Sequence, residues 1–164
     1  MNVLKYISQN GMKHTAKIIY MYKIDIIIQK ICGVFLRTKT LKDIIVIESH
    51  NDFDSNGGAF YNYLIKNGYN KKYKIVWAIK HPEEVPHVLP ENVDWYAAYK
   101  PGLKKNYYKW IAKYFTYDND CSEKLRDNQK AIYFGHGGFG LKNCKGYIMW
   151  RCHRNTYRVF FRIS

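Results

Sequence analysis

Residues 131–142 read AIYFGHGGFGLK, and they hold the chain's most chemically suggestive group, an imidazole set among glycines. An apolar run of strand type, 131–134, feeds into Gly135, His136, Gly137 and Gly138, with Gly140 and Lys142 close behind. Glycine lets another molecule approach the backbone closely. In open parallel sheets, ligands bind beyond the carboxyl ends of the strands. A loop of this kind presents His136 to a substrate, with the amides of Gly137 and Gly138 and the Lys142 ammonium available to a phosphate. A tight turn with a solvated histidine has the same local signature, so the surrounding elements must decide.

A second polar, glycine-bearing loop follows a β-branched run at 44–47, the pattern of a buried parallel strand. It brings Ser49, His50, Asn51, Asp52 and Ser55 before Gly57 and Gly58, and a helix is expected from there to Lys66, closed by Asn67 and Gly68. Ser55 or Asn56 is the expected cap. Strand, polar loop and helix start form a layout suited to an anion or polar ligand. No GxGxxG or P-loop lysine pattern accompanies it. For Ser49, Asn51 and Ser55, direct ligand contact competes with capping and turn roles.

Further strands are expected at 74–79 and 93–99, and an amphipathic helix at 102–114 whose apolar stripe is Leu103, Tyr107, Trp110, Ile111 and Tyr114. On that reading Lys104, Lys105 and Lys109 lie off the stripe. A short strand at 115–117 then ends in Asp118, Asn119 and Asp120, with the two acids read as solvated loop carboxylates, and 122–128 reads as a charged, helix-like stretch. Alternating strands and helices imply an α/β fold, a Rossmann-like, mainly parallel sheet. The strand ends at 49–51, 118–120 and 136 would then converge on one edge.

With 164 residues, 47% of them hydrophobic, the chain is long enough for one domain with a proper core. Its formal charge is +14, and all 13 acids lie between Asp25 and Asp127, so both ends are basic and the partner is an anion. No zinc-finger, RNA-recognition or helix-turn-helix pattern supports nucleic acid as that partner. Four irregularly spaced cysteines carry no CxxC pair; free thiols in a reducing compartment fit them, and no metal or cofactor is called for.

Residues 1–42 combine dense apolar residues with eight Lys/Arg and one acid, Asp25. A basic amphipathic helix on an anionic membrane surface is the leading expectation. A helix packed on the domain with its lysines in water is the alternative. The domain proper is expected at 43–148. In 149–164 four of the six arginines cluster, no clean helix or strand pattern appears, and the change in usage suggests truncation or a frameshift, with a natural basic tail the equal alternative.

The blocks at 47–51 (IESHN), 55–64 (SNGGAFYNYL) and 74–77 (KIVW), the Tyr-rich stretch at 102–120, and Gly135 to Lys142 together resemble the CDP-glycerol glycerophosphotransferases of wall teichoic acid synthesis. The resemblance covers roughly residues 43–142. That family carries a WHGTP.K motif where this chain has Gly135 before the histidine, Gly138 and Phe139 for Thr-Pro, and the lysine one place later. What the resemblance implies is the N-terminal half of a two-domain glycosyltransferase-type architecture, with most donor contacts in a second domain that this chain lacks. It also implies transfer of glycerol phosphate, or a related polyol phosphate, from a CDP-polyol such as CDP-glycerol to a lipid-linked glycerophosphate acceptor. The setting would be the cytoplasmic face of the plasma membrane, bound peripherally. His136 takes the base role, and Ser49, Asn51, Ser55, Gly137, Gly138 and Lys142 bind substrate. A non-catalytic remnant or binding module, and a nucleotide-sugar glycosyltransferase of the same plan, are the rival readings.

Overall fold

The computed structural model describes residues 11–118 and 124–134, and the backbone of 156–159. A long helix, α1 (Met12–Leu36), leads into β1 (Lys42–Glu48), α2 (Ser55–Lys66) and β2 (Lys74–Ile79). Then come β3 (Val93–Ala97), α3 (Leu103–Ile111), β4 (Ala112–Tyr117), β5 (Lys130–Phe134) and β6 (Thr156–Val159). The six strands form one sheet in the order β3-β2-β1-β4-β5-β6, and every neighbouring pair is parallel. The expected α/β, Rossmann-like architecture is therefore the observed one, and β6 adds a strand where the residue pattern of the tail indicates none.

The central strands are covered on both faces, which is why they read as unbroken apolar runs. Side chains alternate across a strand. Ile44 and Val46 of β1, with Val76 and Ala78 of β2, pack towards Tyr108 and Ile111 of α3. Ile45, Ile47, Ile75, Trp77 and Ile79 pack on the other face with Leu64, Phe60 and Tyr61 of α2.

The α3 region departs from expectation. The helix stops at Ile111, and Ala112, Lys113 and Tyr114 already belong to β4. Its inner face is Lys105, Asn106, Tyr108 and Ile111, whereas Leu103 is 67% exposed. The cause is α1, which lies against α3 and makes a polar inner stripe favourable. The Lys105 ammonium sits 2.7 Å from the Asp25 carboxylate, and the Asn106 amide donates to the same carboxylate at 2.8 Å. Trp110 Nε1 donates to the Gln29 carbonyl at 2.9 Å. The loopless turn from α3 into β4 is held by the buried Gln129, whose amide nitrogen donates to the carbonyls of Lys109 and Ala112. Its oxygen accepts from the N–H groups of Leu125 and Arg126, in a turn and not a helix.

Candidate functional site

The strand order reverses between β1 and β4, since the chain runs outward from β1 to β3 and then crosses to β4 on the opposite side. At such a switch point the connections at the strands' carboxyl ends diverge and leave a crevice. Ser49 and Asp118 follow β1 and β4 there, and they meet. The Ser49 hydroxyl lies 2.7 Å from Asp118 Oδ2 and 2.8 Å from the Asp54 carbonyl, and its single proton serves one of them at a time. The His50 N–H donates to Asp118 Oδ1 at 2.6 Å. Asp118 is fully buried, contrary to its reading as a solvated loop acid, because its two oxygens are the acceptors that hold the end of β1.

The loop after Ser49 is fixed at several points. The Asp52 carboxylate accepts from the N–H groups of Lys80 and His81 at the end of β2, at 2.7–3.0 Å. The Lys80 ammonium donates to the His50 carbonyl at 3.2 Å. Phe53 and Ser55 both take left-handed backbone angles, φ 57° and 60°. Each costs on the order of 1–2 kcal/mol for a residue with a Cβ, and such strain concentrates where a loop must hold one shape. The residues that allow it are Gly57 and Gly58. A Cβ on Gly57 would stand 2.7 Å from Ser49 Cβ, and one on Gly58 would stand 2.5 Å from the Phe53 carbonyl oxygen. The start of α2 is thereby pressed onto the end of β1.

The expected cap is not made. α2 begins at Ser55 with Asp54 in the capping position, and no side chain caps the first turn. The first N–H groups of a helix lack intrahelical partners and carry partial positive charge. This turn adjoins the switch point, since Gly57 packs against Ser49.

The candidate substrate contacts are thus placed differently. Ser49 is buried and bonded within the protein, Asn51 is exposed on the loop, and Ser55 is half-buried at the first residue of α2. His136, Gly137, Gly138 and Lys142 lie outside the described residues, as does Asp120. The strand that leads to them does belong to the same edge. The Asn56 amide lies 3.5 Å from the carbonyl of Phe134, and the rings of Phe60 and Phe134 are 5.0 Å apart. His50 was not singled out from sequence, yet its backbone is fixed at the switch point while its residue is exposed. The available signal was its place directly after the strand-ending Ser49. Among the described residues, no group of three or more His, Cys, Asp or Glu is arranged to hold a metal ion.

No protein-family model matches the chain, and no curated protein sequence matches it. Solved structures do. A structure of the wall teichoic acid polymerase TagF superposes with a TM-score of 0.56 at 19% identity, covering 74% of this chain and 29% of that one. A TagF variant soaked with CDPG gives a TM-score of 0.56 at 18% identity over 74% of this chain and 30% of the other. A third, soaked for longer, gives 0.54 at 18% identity over 67% and 27%. This chain spans under a third of the length of the structures it matches. At that identity the likeness establishes the fold: a parallel α/β domain of the kind found in a teichoic acid polymerase.

Proposed function

We infer that this chain is the acceptor-side domain of a polyol-phosphate transferase acting on a CDP-activated donor such as CDP-glycerol. The observation that carries the reading is the β1/β4 switch point, built from Ser49, Asp118 and the glycine-hinged start of α2, in a fold shared with TagF. In the reaction, an acceptor hydroxyl oxygen forms a bond to the phosphorus bearing the polyol. The P–O bond to CMP breaks, CMP leaves with that electron pair, and the hydroxyl proton passes to a base. Histidine titrates in the range suited to this step.

Two histidines follow strand ends on this edge, His136 two residues after β5 and His50 two residues after β1. The uncapped α2 amides would favour a phosphate at the end of β1, and Gly137, Gly138 and Lys142, which follow His136 in sequence, would supply equivalent chemistry there. Most donor contacts would come from a second domain joined to this one.

The setting proposed is the cytoplasmic membrane face. Ile27, Ile31, Val34 and Phe35 of α1 are each more than half exposed, with Lys23 and Lys30 nearby in the helix, a composition suited to an anionic lipid surface. No helix among the described residues is long and apolar enough to cross a membrane.

The test is CMP release from CDP-glycerol, with and without a primed lipid acceptor, by this chain alone and joined to a donor domain. Acceptor-dependent CMP from the joined form supports the reading. A nucleotide diphosphate from a sugar donor would point to the glycosyltransferase, and no product in either form would point to a binding module. His50→Ala and His136→Ala in the joined form separate the two base candidates; retained turnover removes that histidine from the role.

A further inference from the structure

On the amino-terminal edge of the sheet, opposite the switch point, four tyrosines form a row. Tyr63 lies in the last turns of α2, Tyr69 and Tyr73 in the link to β2, and Tyr114 in β4. Successive ring centroids stand 6.0, 6.5 and 6.0 Å apart. Tyr63 and Tyr69 are 55% and 40% exposed, too open to be explained as core, whereas Tyr73 and Tyr114 are partly buried against it. Lys71 and Lys72 are exposed beside them, and neither takes part in an ion pair among the described residues. The row therefore carries uncompensated positive charge and a line of phenolic hydroxyls.

Ring orientation narrows the partner. Single-stranded nucleic acid binds by stacking bases on free aromatic faces. Here the rings of Tyr63 and Tyr69 face each other at 28°, while the Lys72 and Lys113 ammonium groups sit over Tyr73 and Tyr114 at 5.5 and 5.4 Å. One face of each ring is engaged in this way, which reduces the aromatic surface open to base stacking, and Lys113 also bonds the Tyr114 hydroxyl. With Lys71 and Lys72 beside it outside any ion pair among the described residues, such a surface suits phosphates spaced along a chain without bases.

Resting on the transferase reading above, we propose that Tyr63, Tyr69, Tyr73 and Tyr114, with Lys71 and Lys72, form a docking track for the growing polyol-phosphate chain. One glycerol phosphate repeat contains six chain bonds, twice those of a peptide residue, and so spans roughly 7 Å when extended. That is close to the tyrosine spacing. A six-residue strand separates the two edges of the sheet by about 20 Å, so about three repeats reach from the switch point to the track. Short acceptors would miss it and longer ones would engage it. The track would hold the product between additions.

The experiment titrates the full chain with synthetic glycerol phosphate oligomers of increasing length, without donor. Affinity is measured by calorimetry and contact by tyrosine ring resonances. The expected result is binding that tightens as oligomers lengthen past about three repeats, weakens with salt, and falls about fivefold for each of Lys71→Ala and Lys72→Ala. Tyr69→Phe, which removes the hydroxyl and keeps the ring contacts with Tyr63 and Tyr73, should weaken it further with thermal stability unchanged. Length-independent binding, or binding untouched by these variants, overturns the track. So does equal or tighter binding of single-stranded DNA of the same charge, or binding confined to anionic vesicles. Because no turnover is involved, loss of transferase activity with oligomer binding intact would strike only the transferase reading. Transfer without oligomer binding would strike only the track.

Discussion

Replacing Asp118 tests whether the switch point is held by hydrogen-bond acceptors or by negative charge. In Asp118→Ala the His50 N–H, now donating at 2.6 Å to a buried carboxylate, loses its acceptor. The bond is part-buried, and losing its acceptor costs about 1–3 kcal/mol. The Ser49 hydroxyl loses Oδ2 but keeps the Asp54 carbonyl at 2.8 Å, so its share is smaller, about 1 kcal/mol or less. The sum is about 1–4 kcal/mol, which at a urea slope of roughly 2 kcal/mol/M lowers the unfolding midpoint by about 0.5–2 M. Asp118→Asn should behave otherwise. Its amide oxygen can accept from His50 N–H, and its amide nitrogen can donate to Ser49 Oγ while the serine proton turns to Asp54. The expected loss is below about 1 kcal/mol. Urea titrations of both variants, with slopes unchanged, decide the matter. If Asn is as damaging as Ala, the carboxylate acts through its charge, and the acceptor argument is refuted.

Gly58→Ala should destabilise more than Gly57→Ala. The first sets a methyl against the Phe53 backbone carbonyl and the second against the Ser49 side chain, and thermal unfolding should show both losses exceeding the gain of about 1 kcal/mol from helix propensity. Asp25→Ala leaves the Lys105 ammonium nearly buried without its partner and should cost about 3 kcal/mol, with Lys105→Met in the same chain recovering most of it in a urea titration. Asp94 offers a pH test. Burial pushes its carboxyl up, but hydrogen bonds from Lys104, Tyr108 and the Trp95 N–H outweigh burial and hold it below the ordinary value of 3.8. A depressed carboxyl stabilises fully above its unfolded value and loses that contribution as pH falls through its folded one. Asp94→Asn should therefore flatten the acid limb of the stability profile below about pH 4; an unchanged limb would show that the three donors do not favour the ionised form.

Local pattern was enough for some elements and not for others. The run at 74–79 is a strand with the expected bounds, because a fully buried parallel strand leaves no room for polar residues. The helix at 102–114 went astray at both its end and its face. Tyr114 fits a helical stripe by spacing, yet it lies in β4, and Lys105 is buried because Asp25, 80 positions earlier, supplies its counter-charge. Periodicity carries no information about a partner that distant. The same holds for Asp118, whose burial depends on two donors from the end of β1.

By itself the order of residues determined the class of this protein. Alternating apolar runs and amphipathic stretches can bury their faces only as helices over a parallel sheet. Only the tertiary structure decided where that sheet reverses its winding and which groups meet there. Ser49, His50 and Asp118 come together through contacts 68 and 69 residues apart. Such contacts depend on strand order, which hydrophobic period leaves open, and strand order is set by how the crossings pack around β1.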